Sequence, residues 1–336
     1  MQIFVIGMHR SGTSLTARLL NLMGAYFSPE GMELPANSGN PKGYWERLDV
    51  FRLNKNFILD SGHDWYKVSQ WDLNEISMEK RQDFEDKTKK IILAMDAHRP
   101  WMIKDPRFCL LFSLWLPLLE FPICVHVYRN PIQVAQSLRT RNGFPVQFGV
   151  ALWEKYVLES LKATKNCPNI LIHHSNLINY PLQTVTQLHQ QLSDLGCQGL
   201  RIPNEKEVLA FVSSQLYRER DLASIGSGFI NTQQSNLVDA FESGEIFKFA
   251  EKANLELSLG SQETLNFYEN HWILESEHKK SNNALEKSKA SETALIQECA
   301  RLKASLQNLE TDLRGKEASE TALIQECARL KASLQN

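Results

Sequence analysis

An apolar run at the N-terminus passes directly into a glycine-bounded loop, and no other feature constrains the fold as strongly. Residues 2–7 (QIFVIG) are predicted to form a buried β-strand, and the loop GMHRSGTS occupies residues 7–14. Apolar side chains then recur at helical spacing, which predicts a helix over residues 13–24. A strand, a tight loop and a helix in this order are typical of α/β domains with a parallel sheet.

The alternation of strand and helix patterns continues along the chain. Further strands are predicted at residues 101–104, 123–128 and 169–174. Further helices are predicted over residues 79–97, 131–141, 145–165 and 181–195. This order predicts the fold class α/β, with a central parallel sheet between two layers of helices in a three-layer sandwich.

The composition changes near residue 275 and divides the chain into two regions. Residues 1–274 hold all seven tryptophans and all twelve prolines, and we expect them to form one α/β domain. Residues 275–336 have neither proline nor an aromatic residue. Within this tail, ASETALIQECARLKASLQN spans residues 290–308 and recurs identically over residues 318–336, four heptads further on.

Heptad spacing in the tail predicts a coiled coil. Alternate steps of three and four residues from Leu285 reach fifteen positions, of which eleven are Leu or Cys. Lys316 and Glu320 are among the four polar interruptions. We expect the tail to self-associate or to pair with a partner helix, the alternative being a single solvated helix. Because the chain stops flush with a repeat, it is also compatible with a shortened form of a longer protein.

The bulk composition excludes several function classes. With 43% hydrophobic and 23% charged residues the chain resembles an ordinary soluble globular protein, and a net charge of −2 does not indicate a nucleic-acid partner. The most apolar stretch, residues 108–128, contains two prolines and a glutamate, so we expect a helix, a break and a strand there and no membrane span. The six cysteines include no CxxC pair, which is typical of reduced thiols in a cytoplasmic protein.

The loop after the first strand has the features of an anion site. Gly7 and Gly12 permit a tight turn, and the amides from His9 to Ser14 are expected to converge at the positive end of the following helix. The glycine spacing matches the P-loop of ATPases and GTPases, but Thr13 stands where that motif needs Lys, which argues against both. The residues expected to hold the anion are Gly7, His9, Arg10, Ser11, Gly12, Thr13 and Ser14.

A second group of polar residues follows the third predicted strand. Arg129 ends that strand, and Asn130 and Pro131 suit the N-cap and the first position of a helix. Ser137 and Arg141 are four residues apart on this helix and share one face. Arg129 and Ser137 are therefore predicted to bind one further phosphate between them. The alternative is that they are a surface arginine and a helix serine with no common ligand.

Together these motifs resemble one enzyme family. The loop GMHRSGTS, the segment VYRNPIQVAQSL and the intervening IKDP resemble the sulfotransferases that use 3′-phosphoadenosine 5′-phosphosulfate (PAPS). The resemblance is to bacterial members above all, with similarity to the tyrosylprotein sulfotransferases. It extends over about residues 1–220 and implies a P-loop-like fold, in agreement with the α/β sandwich predicted from the strand and helix pattern.

The resemblance implies a role for each motif. It places the 5′-phosphosulfate of PAPS on the first loop and the 3′-phosphate on Arg129 and Ser137, with Arg141 as a second basic contact. It makes Arg10 and Lys104 the cations that stabilise the transition state, Lys104 being the lysine of the KDP motif. Because a sulfuryl group carries less charge than a phosphoryl group, fixed cations can replace a metal ion, and no metal is expected.

The general base is expected to be a carboxylate on the segment after the first helix. Glu46 in NPKGYWE is favoured over Glu33 in GMEL, and either could instead be a solvated loop residue. His63 and Asp64, in the segment SGHDW, are weaker alternatives for a role in the site.

Several further residues near these motifs have open roles. Asp105 is expected to orient the preceding lysine, and Arg107 either contacts a ligand or caps the next helix. Arg218 lies where members of the family have basic residues, late in the sequence, that approach the nucleotide. His174 and Ser175 stand where the family often has a Tyr–Glu pair, which leaves the substrate or structural details there open.

Three functions remain open from the sequence. The favoured one is a cytosolic sulfotransferase that acts on a hydroxyl group, with carbohydrate as the leading acceptor class. The second is an ATP- and magnesium-dependent kinase of a nucleotide or small molecule. The third is a coiled-coil scaffold with an inactive head, against which the joint presence of Arg10, Lys104, Arg129 and Ser137 counts.

Overall fold

The computed structural model describes residues 1–36, 40, 42–212 and 229–334, and a four-stranded parallel sheet forms the centre of its first unit, Met1–Glu269. The strands lie in the order β2-β1-β3-β4. Their bounds are β1 Gln2–Ile6, β2 Trp101–Lys104, β3 Pro122–Tyr128 and β4 Asn169–His173. All strand pairings in this sheet are parallel, with Gln2 opposite both Trp101 and Pro122. The predicted strands and the α/β class with a central parallel sheet are thus confirmed.

Helices fill the connections between the strands. In the unit Met1–Glu269 they are α1 Thr13–Leu22, α2 Leu48–Asp60, α3 Met78–Asp96, α4 Phe108–Trp115, α5 Pro131–Asn142, α6 Val146–Thr164, α7 His174–Asn179, α8 Pro181–Asp194, α9 Glu205–Phe211, α10 Thr232–Glu242 and α11 Ile246–Lys252. All five helices predicted from apolar spacing are present, with ends within two residues of the prediction. The apolar stretch over residues 108–128 is a helix, a break and a strand, as expected.

Alternate residues of β1 face opposite sides of the sheet. Ile3 and Val5 belong to a core cluster that includes residues of α1 and α8. Phe4, between them, lies against the rings of Phe108 and Phe112 on α4, with centroids 5.2 and 5.0 Å apart. Helices therefore cover both faces, which explains why residues 3–6 of β1 are all apolar.

Helix α2 was not predicted because one of its buried positions is polar. Asn54 is fully buried, donates from Nδ2 to Oδ2 of Asp105 at 3.2 Å and accepts from Nε1 of Trp115 at 3.1 Å. These hydrogen bonds remove the cost of burying the amide. A polar residue at a core-facing position interrupts the apolar period from which a helix is predicted.

The chain ends in one long helix, α12 Leu259–Leu334, of 76 residues. Its first turns belong to the first unit, where Oε1 of Glu269 accepts hydrogen bonds from the amides of Val68 and Ser69 at 2.8 and 2.9 Å. In the second unit, Asn270–Asn336, the heptad leucines from Leu285 to Leu330 are exposed, for example Leu295 at 65%. The predicted tail helix is thus present, with its apolar stripe in contact with solvent. None of the helices in the described part of the chain is long and apolar enough to cross a membrane.

Candidate active site

Two glycines hold the loop between β1 and α1 close to neighbouring elements. Gly12 has φ 95° and is the N-cap of α1. A Cβ atom on Gly12 would lie 2.4 Å from Cδ2 of His174, and one on Gly7 would lie 2.9 Å from the carbonyl oxygen of Val127. Both positions therefore require glycine. Since Gly12 supplies no capping side chain, the N-terminal amides of α1 form an end of positive potential that attracts an anion.

Arg10, Arg129 and Ser137 meet beside this loop. Arg10 has a left-handed backbone conformation (φ 72°), and its Nε donates a hydrogen bond to Oγ of Ser137 at 2.8 Å. Arg129, directly after β3, donates from a terminal nitrogen to the carbonyl oxygen of Arg10 at 2.9 Å. Asn130 caps α5 as predicted, because its Oδ1 accepts from the amide of Ile132 at 3.0 Å. Hydrogen bonds thus connect Arg10 to Arg129 and Ser137, the two residues predicted to hold a further phosphate. Arg10 and Ser137 lie 127 residues apart in the sequence.

Lys104, at the end of β2, forms a buried ion pair with Glu46. Its Nζ lies 2.5 Å from Oε1 of Glu46 and donates to Oγ of Ser14 at 3.2 Å. The side chains of the ion pair are only 1% and 5% exposed. Burial raises the pKa of Glu46, and the charge of Lys104 opposes that rise. Lys104 therefore connects the first turn of α1 to the carboxylate that the sequence favours as the base.

Other candidate residues are engaged in local structure. Oδ1 of Asp105 accepts hydrogen bonds from the amide and the guanidinium of Arg107 at 2.9 and 3.0 Å, at the start of α4. Oε2 of Glu33 accepts from an amide two residues earlier at 3.1 Å. Asp64 accepts from the next amide at 2.7 Å, and Nδ1 of His63 lies 3.3 Å from a carbonyl oxygen four residues on. These contacts stabilise turns and a helix start.

Positive charge dominates the surroundings of the loop. Burial lowers the pKa of His9 well below its ordinary value. The positive charges that lower it further are those of Arg107, Arg141, Lys104 and Arg10. Desolvation and the charge of Arg10 lower the pKa of Arg141 to about 10, which leaves its guanidinium protonated at neutral pH. An anion bound among these cations reduces the electrostatic repulsion between them, so the site favours an anionic ligand.

Two residues reach the loop without having been predicted to do so. Trp65 packs on the ring of His9 with centroids 4.5 Å apart. The guanidinium of Arg141 lies 5.4 Å from the centroid of the Trp65 ring. No short-range pattern points to Trp65, because it comes from the turn after α2. The side chain of His174 contacts Gly12. The position of His174 directly after β4 could have indicated a place in the site, because ligands of parallel sheets bind at the carboxyl ends of the strands.

The described residues include no group of three or more His, Cys, Asp or Glu side chains that could hold a metal ion. The late basic residue expected from the sequence, Arg218, lies outside the described residues.

Comparisons with known proteins point to one family. A model described as "Sulfotransferase family" matches residues 2–193, which include all four strands and every residue of the site described above. No curated protein sequence matches the chain significantly. Among solved structures, sulfotransferase STF9 from Mycobacterium avium is similar over 76% of this chain and 77% of its own, with 14% identity and a TM-score of 0.44. The sulfotransferase domain of the Synechococcus PCC 7002 olefin synthase is similar over 80% of this chain and 94% of its own, with 15% identity and a TM-score of 0.36.

Proposed function

Because the chain belongs to the sulfotransferase family, we propose that it transfers a sulfuryl group from PAPS to an acceptor hydroxyl. The observation that carries the choice of donor is the hydrogen bond from Arg10 to Ser137. It joins an anion-binding loop to the residues expected to hold a second phosphate, and PAPS has anionic groups on both its 5′ and its 3′ positions. Carbohydrate hydroxyls are the acceptor class to examine first.

The described residues fit the two anionic ends of PAPS. We assign the 5′-phosphosulfate to the N-terminus of α1, where Gly12 provides no capping side chain and which Lys104 reaches through Ser14. We assign the 3′-phosphate to Arg129 and its neighbours on α5, namely Ser137 and Arg141. When bound, PAPS supplies a sulfuryl group on a phosphate leaving group.

Three side chains act on the reacting groups in this proposal. Lys104 and Arg10 stabilise negative charge on the sulfuryl and leaving-phosphate oxygens. Glu46 accepts the proton of the acceptor hydroxyl. Burial raises the pKa of Glu46, which moves the carboxylate towards the range in which a base is effective at neutral pH.

Adenosine 3′,5′-bisphosphate should bind at least roughly tenfold more tightly than ATP, which lacks the 3′-phosphate. The loss of one charge-assisted hydrogen bond costs about 1.5–3 kcal/mol, and 1.4 kcal/mol corresponds to a factor of ten. Titration calorimetry measures both affinities. Arg129→Gln should reduce the preference, whereas Arg139→Gln, an exposed position on the same helix, should keep it. Equal affinities of the wild type for the two nucleotides would contradict the assignment of the 3′-phosphate.

The cysteines support a cytoplasmic location as part of this proposal. All six are free thiols, including the exposed Cys299 and Cys327. Exposed thiols persist in a reducing compartment.

We further propose that the tail pairs with a second copy of the chain as a parallel coiled coil. The exposed leucines of α12 are buried only if another helix covers them. In a parallel pair in register, Cys299 and Cys327 face their own counterparts at core positions. On the flank of that core, Glu298 faces Lys303 of the other helix, and the second repeat provides the same pair.

The full chain should therefore sediment as a concentration-dependent dimer, and residues 1–274 as a monomer. The association should be weak because Lys316 and Glu320 interrupt the apolar stripe. Leu302→Glu, at a core position, should weaken it, whereas Ala304→Glu, on the outer face, should leave it unchanged. Identical monomer masses for the full and shortened chains across the micromolar range would contradict self-pairing and favour a different partner helix.

A further inference from the structure

His9 carries a buried polar atom that the fold itself does not satisfy. Its Nε2 is inaccessible to solvent and has no hydrogen-bond partner among the residues that the structure describes. The imidazole ring is held by aromatic neighbours, with centroids 4.5 Å from Trp65 and 5.9 Å from Tyr156. A buried polar group without a partner costs free energy, and a ligand that forms a hydrogen bond with this nitrogen removes that cost.

The charges around His9 indicate the kind of ligand. Burial lowers the pKa of its imidazole, and the neighbouring cations lower it further, so the ring is neutral at physiological pH. One nitrogen of a neutral imidazole donates a hydrogen bond and the other accepts one. A ligand drawn to this cluster of cations is an anion, and an anion selects the tautomer in which the buried nitrogen is the donor.

The position of His9 relates it to the group that is transferred. It lies in the loop between β1 and α1, immediately before Arg10. Lys104 and Arg107, whose charges act on His9, follow from the end of β2. Lys104 also donates to Ser14 in the first turn of α1. The imidazole is therefore close to the cation that is assigned to the reacting end of the donor.

We propose that Nε2–H of His9 donates a hydrogen bond to a sulfuryl oxygen of PAPS, and that this side chain helps the protein to distinguish PAPS from its desulfated product. This inference rests on the proposed function, because it requires PAPS to be the donor. It assigns a role to the imidazole, in addition to any contact made by the backbone of the loop.

The test compares the affinities of PAPS and adenosine 3′,5′-bisphosphate for the full chain by titration calorimetry. His9→Phe keeps an aromatic ring against Trp65 and removes the nitrogen. It should weaken the binding of PAPS by roughly tenfold, the loss of one hydrogen bond to a charged group, and leave the affinity for adenosine 3′,5′-bisphosphate unchanged. His9→Gln, which retains an N–H donor, should recover part of the difference. His98→Phe, at an exposed histidine stacked on Tyr26, is the matched control and should change neither affinity.

A second measurement needs no substitution. In the wild-type chain labelled with nitrogen-15, the Nε2 signal of His9 should shift when PAPS is added and not when adenosine 3′,5′-bisphosphate is added. Equal losses of affinity for both nucleotides in His9→Phe, or an Nε2 signal that does not respond to PAPS, would overturn the role of His9. If the wild type does not bind PAPS at all, the proposed function itself fails, which is a different result.

Discussion

Lys104→Met should lower the turnover number by roughly 10²–10³-fold, the range found when one preorganised donor to a transition state is removed. The affinity for adenosine 3′,5′-bisphosphate should change much less, because Lys104 is proposed to act on charge that develops during transfer. Methionine keeps an unbranched apolar stem in the buried position and removes only the ammonium group. Single-turnover kinetics and calorimetry on the same variant separate the two effects.

Stability provides the control for this experiment. Removal of one partner from a buried ion pair costs about 3–5 kcal/mol, and Lys104→Met leaves Glu46 without its partner at 2.5 Å. The double variant Lys104→Met/Glu46→Gln contains no unpaired charge and should recover much of the lost free energy of unfolding, yet remain inactive. A double variant with turnover near that of the wild type would show that neither Lys104 nor Glu46 acts on the reacting groups and that the pair has a structural role only.

Glu46→Gln should abolish transfer, with a loss of roughly 10²–10⁴-fold, the usual contribution of a positioned acid or base. Nucleotide binding should be retained, since glutamine has the same shape and can still accept a hydrogen bond from Lys104. Glu33→Gln is the matched control, because Glu33 is the alternative carboxylate and its Oε2 accepts only a local amide bond in the described contacts. If Glu33→Gln is the inactive variant and Glu46→Gln turns over normally, Glu46 is not the base.

The pH dependence of transfer should identify the same group. Burial raises the pKa of Glu46, so the rate should fall with decreasing pH at values above the range of an ordinary glutamate. The sign follows from the role of the residue: as the pH falls through the raised pKa, the carboxylate takes up a proton and can no longer accept one from the hydroxyl. This acidic limb should be absent from the residual activity of Glu46→Gln.

Most of the sheet could be predicted from the sequence because strands β1, β2 and β3 are buried on both faces. Residues 3–6 of β1, for example, then form an uninterrupted apolar run. Helices with one apolar stripe, such as Pro181–Asp194, were predicted from the helical spacing of their buried residues. Leu48–Asp60 was not predicted, since Asn54 occupies a buried position through hydrogen bonds that only the folded chain provides.

The parts of the site that local motifs encode were also predictable. Glycines around an anion loop and an Arg eight residues before a Ser are patterns within one strand–helix unit. The hydrogen bond from Arg10 to Ser137 is not, because it depends on the left-handed backbone of Arg10 and on β1 lying beside β3. The contact between Trp65 and His9 could not be predicted either, because Trp65 lies in a turn that has no regular sequence pattern.

Transfer of radiolabelled sulfate from PAPS in excess chelator tests the central claim most directly. An array of sugars, peptides and phenols provides the hydroxyl acceptors. We expect label to appear on at least one class of acceptor with chelator present, because Lys104 and Arg10 are proposed to supply the positive charge that a metal ion supplies in phosphoryl transfer. Failure of PAPS to label any acceptor, together with magnesium-dependent transfer of labelled phosphate from ATP, would contradict the assignment and identify the chain as a kinase.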